Sequence, residues 1–144
     1  MRGWPPERGS CSDCLATSVL IDLYLGAPGR STTMARRVLG ADSEWYAPNH
    51  QRVEFLNALR GLVLGKRVSV SDAEAARKLC SLQAIAHVEP VGGVADRIWE
   101  LRSDLTAYDA AYVAVAEALD CALVTGDVRL VSAPGLRCEV RVIR

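Results

Sequence analysis

Three acidic residues stand where an apolar run gives way to a helix or a turn. Glu54 lies one turn into the helix that follows the run Trp45 to Ala47, Asp109 lies in the first turn of an alanine-rich helix, and Asp127 directly follows Ala122 to Val124. In an open α/β sheet, ligands collect beyond the carboxyl ends of the strands, so acids at these positions could converge. Carboxylates drawn together repel one another unless a cation neutralises them. Oxygen donors of this kind suit Mg²⁺ or Mn²⁺, which takes one or two carboxylates directly and keeps several waters. A bound water can attack a phosphodiester while the ion offsets charge on the phosphoryl oxygens, which is nuclease chemistry. Two hydroxyls, Thr106 and Thr125, stand close in sequence to hold a water or a phosphate oxygen.

Each acid also has a plainer role. Asp109 could serve only a capping box and the helix dipole, Asp127 could be an ordinary turn residue beside Gly126, and Glu54 could be a solvated helix position. His50, four residues before Glu54, could add a ligand for a softer metal or be a surface histidine, as His87 could.

The elements that must position these residues follow from the apolar pattern. From Leu15 the chain reads as a short strand running into a helix that ends at Gly26 and Pro28. Thr32 to Leu39 is a second short helix, and Trp45 to Ala47 a strand. Val53, Leu56, Leu59, Leu62 and Val63 have helical spacing, stopped near Gly65. Ser71 to Glu74 has the form of a capping box opening a helix to about Gln83. Ile85 to Val88 is a strand, Val94, Ile98 and Leu101 mark a helix, and Thr106 caps the helix through Leu119. Cys121 to Val124 and Leu136 to Ile143 are the last strands. Alternating strands and helices predict a three-layer α/β/α sandwich around a mostly parallel sheet, one domain over residues 15–144 after an irregular tail at 1–14.

Composition limits the classes. The chain has 144 residues, 50% of them hydrophobic, with 17 basic and 17 acidic side chains. That excludes a disordered chain and a globally basic coat for nucleic acid, and no apolar run approaches the ~20 residues of a membrane span. Any nucleic-acid contact is therefore local, with Arg30, Arg36, Arg37, Arg52, Arg60, Lys66 and Arg67 as candidate phosphate contacts or solvated helix faces. Five cysteines make an odd count and no signal segment precedes them, which predicts reduced thiols in a cytoplasm. Cys11 and Cys14 form a C-x-x-C pair, a zinc or redox spacing elsewhere and otherwise incidental thiols.

At the acidic positions the sequence resembles the PIN-domain ribonucleases, and within them the VapC-type toxins of toxin–antitoxin pairs. The resembling segments are Ser18-Val-Leu-Ile-Asp-Leu-Tyr-Leu-Gly26, Val53-Glu-Phe-Leu-Asn-Ala-Leu59, Leu105-Thr-Ala-Tyr-Asp-Ala-Ala-Tyr-Val-Ala114 and Leu123-Val-Thr-Gly-Asp127, in family order, the last two being the specific ones. The resemblance implies a Rossmann-like α/β/α sandwich and a Mg²⁺- or Mn²⁺-dependent endoribonuclease site. It also implies a homodimer, and a VapB-type antitoxin that covers the site in a heterotetramer or larger assembly. Glu54, Asp109 and Asp127 fall on the second, third and fourth acidic positions, and Thr125 on the polar position that accompanies them. Asp109 would be the main direct ligand, with Glu54 and Asp127 supporting waters, the attacking hydroxide or a second ion. The implied substrate is RNA, structured tRNA or rRNA cut in a single-stranded loop.

The first acid of the family is missing. Its motif opens with Asp at the end of the first strand, and here the stretch reads Ala16-Thr17-Ser18-Val19-Leu20. Asp13 is an odd offset along a strand and points to the other face, and six positions along a helix put Asp22 on a different face from the site. Ala16 is read as a substitution that silences a toxin, a natural loss of activity, or a reading-frame error. The polar run Cys11 to Cys14, in place of the family's apolar strand, fits the last. Loss of one carboxylate predicts weaker metal binding and slow or undetectable hydrolysis. The rival reading is a degenerate, non-catalytic PIN module that still binds antitoxin or RNA. Apolar positions Val38, Leu39, Leu62, Val63, Leu64, Leu79 and Leu82 either form a groove for an antitoxin helix or pack in the core.

Overall fold

Side chains alternate across a strand, and the short apolar runs of this chain use that alternation to feed two cores at once. In the computed structural model, which describes residues 13–26 and 45–143, Cys14 and Ala16 enter one core while Leu15 between them enters the other. Leu123 and Val124 divide in the same way, as do Tyr46 and Trp45. The expected helix at Thr32 to Leu39, Cys11, Arg30, Arg36 and Arg37 lie outside the described residues.

The strands are β1 (Asp13–Leu15), β2 (Trp45–Pro48), β3 (Ile85–Val88), β4 (Leu123–Thr125) and β5 (Val140–Val142). They form one sheet in the order β3-β2-β1-β4-β5, and every pairing is parallel. The helices are α1 (Thr17–Leu25), α2 (Gln51–Leu64), α3 (Val70–Ser81), α4 (Gly92–Glu100) and α5 (Ala107–Ala118), with 3₁₀ turns at Leu101–Ser103 and Val128–Ser132. Phe55 and Leu59 of α2, with Ala73 and Ala76 of α3, join Val19 and Leu20 of α1 on one face of the sheet. On the other face α5 buries every residue from Ala110 to Ala116, its small side chains letting the helix lie close to β1 and β4. The result is the expected α/β/α sandwich.

The chain leaves β1 toward β2 and β3, and β4 and β5 are added on the opposite side. The strand order therefore switches direction between β1 and β4, where such sheets open a crevice at their carboxyl ends. Thr106 caps α5 as expected, its hydroxyl accepting from the Asp109 N–H at 3.2 Å.

Two boundaries differ from the sequence reading. β1 begins at Asp13, so Asp13 and Cys14 belong to the central strand rather than to an irregular tail. Asp13 is 5% exposed and is held by Arg141 of β5 at 3.3 Å, a partner 128 residues away that makes the polar strand tolerable. Cys14 is fully buried, its thiol donating to the Tyr112 carbonyl at 3.6 Å, so it is a core residue. The cap of α3 is Ser69 and not Ser71. Its hydroxyl accepts from Asp72 N–H at 3.0 Å, because burying Ala73 and Ala76 sets the helix two residues earlier.

Candidate active site

Glu54 is positioned by a buried glutamine. Gln51 at the start of α2 is 1% exposed and its amide donates to the Leu15 carbonyl at 2.6 Å, pinning the helix to the end of β1. One turn later Glu54 Oε1 meets two hydroxyls, Thr17 at the start of α1 and Tyr112 of α5, the latter at 2.9 Å. The two hydroxyl oxygens lie 2.8 Å apart. They carry one proton each, and a carboxylate only accepts, so both protons can go to Glu54 and fix its orientation. Burial pushes the Tyr112 hydroxyl far above its ordinary pKa, which keeps it a donor. The second oxygen of Glu54 lies 3.6 Å from His50 Nε2, too long for a hydrogen bond, and that buried nitrogen makes none. The His50 ring stands edge-on to Tyr108 at 5.5 Å and to Tyr112 at 5.2 Å.

A second group forms at the end of β4. Thr125 is 1% exposed and its hydroxyl accepts from the Asp127 N–H at 3.1 Å, while Gly126 N–H donates to the Ser18 hydroxyl at 2.9 Å. A Cβ at Gly126 would stand 3.3 Å from that hydroxyl oxygen and 3.9 Å from Asp22 Oδ2. Ser18 and Asp22, four apart on α1, therefore share the face that meets the β4 turn. This corrects the expectation that Asp22 emerges away from the site: α1 packs against β4, so its position is measured from Gly126 and not from Ala16. Partial burial raises the Asp22 carboxyl above its ordinary pKa.

Asp127 is already engaged. Arg129 donates from Nε to Oδ1 at 3.0 Å and from Nη2 to Oδ2 at 2.7 Å, and its backbone N–H reaches Oδ1 at 2.9 Å. The guanidinium holds the Asp127 carboxyl below the usual carboxylate range. The charge of Asp109 acts on the same guanidinium.

Ala16, at the cap of α1, is 9% exposed and puts its methyl group into the core beside α5. The structure brings Glu54 together with Thr17, Tyr112 and His50, and Asp127 together with Thr125 and Arg129, while Asp109 stands in the first turn of α5. Among the described residues, no three His, Cys, Asp or Glu side chains are grouped to hold an ion. Thr17, Ser18, Gln51, Tyr112 and Arg129 were not singled out from sequence. Tyr112 alone carried a signal, since it lies three residues after Asp109 on the same helix face. Of the candidate phosphate contacts, Arg52 is engaged with His87 at 3.1 Å, and Arg60, Lys66 and Arg67 are exposed.

Comparison with known proteins identifies the family. The PIN domain family model matches residues 14–136. A VapC ribonuclease of Mycobacterium bovis is 38% identical over 109 residues, covering 76% of this chain and 84% of that protein. Ribonuclease VapC1 of Mycobacterium tuberculosis is 35% identical over 132 residues, covering 92% and 98%. The crystal structure of VapBC2 from Rickettsia felis, bound to a DNA fragment from their promoter, shares the fold with a TM-score of 0.62 at 14% identity, covering 89% of this chain and 97% of that one. A family match over residues 14–136, with relatives this similar over most of their length, means that the chain belongs to the PIN-domain family, among the VapC ribonucleases.

Proposed function

We propose that the chain is the toxin of a toxin–antitoxin pair, a Mg²⁺- or Mn²⁺-dependent endoribonuclease whose hydrolysis is weakened by Ala16. The observation that carries this reading is the arrangement at the β1–β4 crevice. There Glu54 meets the hydroxyls of Thr17 and Tyr112, and Asp127 stands beside Thr125 at the end of β4, in a chain of VapC relatives. The carboxylates suit a hard ion, and Mg²⁺ needs no more than one or two of them directly, with water completing its shell. Asp109 with Glu54 or Asp127 would hold it. When bound, the ion supplies charge for the phosphoryl oxygens and lowers the pKa of a water.

The protein's own groups do the rest. Thr17 and Tyr112 fix the rotamer of Glu54, so its other oxygen can receive a proton from an attacking water. Thr125 and Gly126 fix the turn that aims Asp127, through the hydroxyl and backbone contacts of β4 with α1. Thr106 holds the first turn of α5, and with it Asp109.

Partners follow from the same reading. An antitoxin of the VapB type would lay an apolar helix along the groove between α1 and α2, lined by Ile21, Ala58, Gly61, Leu62, Gly65 and Arg67, beside the exposed Leu64, Leu79 and Leu82. The substrate would be a single-stranded loop of structured RNA, the protein a homodimer, and the compartment the cytoplasm. No helix among the described residues is long and apolar enough to cross a membrane.

The test compares wild type with Ala16→Asp in RNA cleavage over a Mn²⁺ titration. The expected outcome is slow or undetectable scission by wild type and a clear gain for Ala16→Asp; equal rates would mean the site is misassigned. A second reading, a non-catalytic module that binds antitoxin or RNA, is favoured by the Ala16 methyl group and by the Arg129 clamp on Asp127. Retained antitoxin binding with no scission by either protein selects it.

A further inference from the structure

The turn after β4 carries a pairing that the ribonuclease reading does not use. Arg129 sits two residues after Asp127 and covers both carboxylate oxygens, at 3.0 Å to Oδ1 and 2.7 Å to Oδ2. The arginine side chain is 83% exposed while Asp127 is 29% exposed. The pair is thus a fork laid over the acid from the solvent side.

Resting on the reading above that the rim takes a divalent ion, we propose that Arg129 is its internal counter-ion, competing with the metal for Asp127. Three observations support this. Both Asp127 oxygens accept from the guanidinium, and a carboxylate so engaged in a two-point fork has its inward lone pairs committed, so an ion that takes an oxygen from that side must displace the arginine. The charge of Asp109 also acts on the same guanidinium, more weakly than that of Asp127. Finally, the guanidinium is tethered only at the Asp127 end, whereas the Asp127 side chain keeps a separate bond from the Arg129 backbone N–H at 2.9 Å. The side chain can leave without unmaking the turn. Asp127 is therefore paired without a metal, and loading at its oxygens exchanges one cation for another.

Arg129 acts here as a positioning and charge-balancing residue, not as a catalytic one. Isothermal titration of Mn²⁺ into metal-free protein tests it, with Arg129→Gln and Arg129→Lys made in both the wild-type and Ala16→Asp backgrounds. Arg129→Gln should tighten Mn²⁺ binding by about two- to fivefold, the scale an exposed ion pair supports. The gain should shrink as NaCl is added, since salt screens the competing charge. Arg129→Lys keeps the charge without the fork and should fall between. A second readout is independent of metal: in EDTA, Arg129→Gln should melt below its parent, because the carboxylates lose their cation. Unchanged or weaker Mn²⁺ binding in Arg129→Gln overturns the inference. If Ala16→Asp binds Mn²⁺ equally with and without Arg129, the inference falls and the metal site stands; if no variant binds Mn²⁺, both fall.

Discussion

At the scale of single residues, the site depends on how few protons are available around Glu54. Thr17 and Tyr112 bring two hydroxyls to one carboxylate oxygen, with Tyr112 only 4% exposed. Tyr112→Phe keeps the ring packed against His50 and α5 but removes one donor. Urea denaturation should show a loss of about 1–2 kcal/mol, since a hydrogen bond to a charged group is deleted with little change in shape. RNA cleavage in the Ala16→Asp background should fall as Glu54 gains rotamer freedom. No loss of stability would mean that the hydroxyl triangle is not formed in solution. None of this was legible from spacing, because Thr17 and Tyr112 are 95 residues apart and meet only through the sheet. Glu54 and Asp127 stood out because each follows a strand, whereas Asp109 follows a helix and a 3₁₀ turn and stood out by its place in the first turn of α5.

At the scale of elements, the first turn of α5 and the edge strand β3 are the two places where a local interaction has a readable consequence. Thr106 satisfies one of the free N–H groups of α5 in the turn that carries Asp109. Thr106→Ala should cost about 1 kcal/mol by thermal or urea denaturation and lower RNA cleavage beyond that loss, as the turn frays under the acid. Thr106→Ser should restore both. On β3, His87 Nδ1 lies 3.1 Å from Arg52 Nη2 of α2. Arginine only donates, so this nitrogen accepts and the imidazole is neutral. Burial, and then the charge of Arg52, lower the His87 pKa from its ordinary value. The unfolded chain therefore takes up the proton first, so the stabilising effect is complete above about pH 6.5 and is lost as the pH falls through the lower folded value. An NMR titration should place His87 below the ordinary histidine range, and Arg52→Ala should move it upward; an unshifted His87 in wild type would contradict the contact. Where the pattern was misread, a distant partner decided the outcome. Asp13 made the start of β1 look irregular, and its pairing with Arg141 of β5 accompanies its burial. Ser71 had the form of a cap, and the helix begins two residues earlier, where the Ser69 hydroxyl accepts from the Asp72 N–H.

At the scale of the whole molecule, the sandwich was legible because alternation along short strands and three-and-four spacing along helices are local signals, and a mostly parallel sheet follows from their order. The facing of α1 was not. Asp22 looked remote by counting from Ala16, and it reaches the rim because α1 leans on the β4 turn at Gly126. The rim is thus built from α1, α2, α5 and the β4 turn, and its charge balance is a property of the assembled fold. Ala16→Asp should make that balance visible as stability. Position 16 is 9% exposed and lies in the α5-side core, so an added carboxylate is taken out of water without a partner of opposite sign. In EDTA the variant should therefore melt below wild type. A ligand that binds only the folded state stabilises it, by about 2.7 kcal/mol at one hundred times its dissociation constant, and each kcal/mol moves the melting temperature of a domain this size by about 3 °C. Saturating Mn²⁺ should then raise the melting temperature of Ala16→Asp by about 5–10 °C and that of wild type by less. A melting temperature that ignores Mn²⁺ in both proteins would leave the acids of the rim with Arg129 as their sole cation, and the molecule a binding module and not a nuclease.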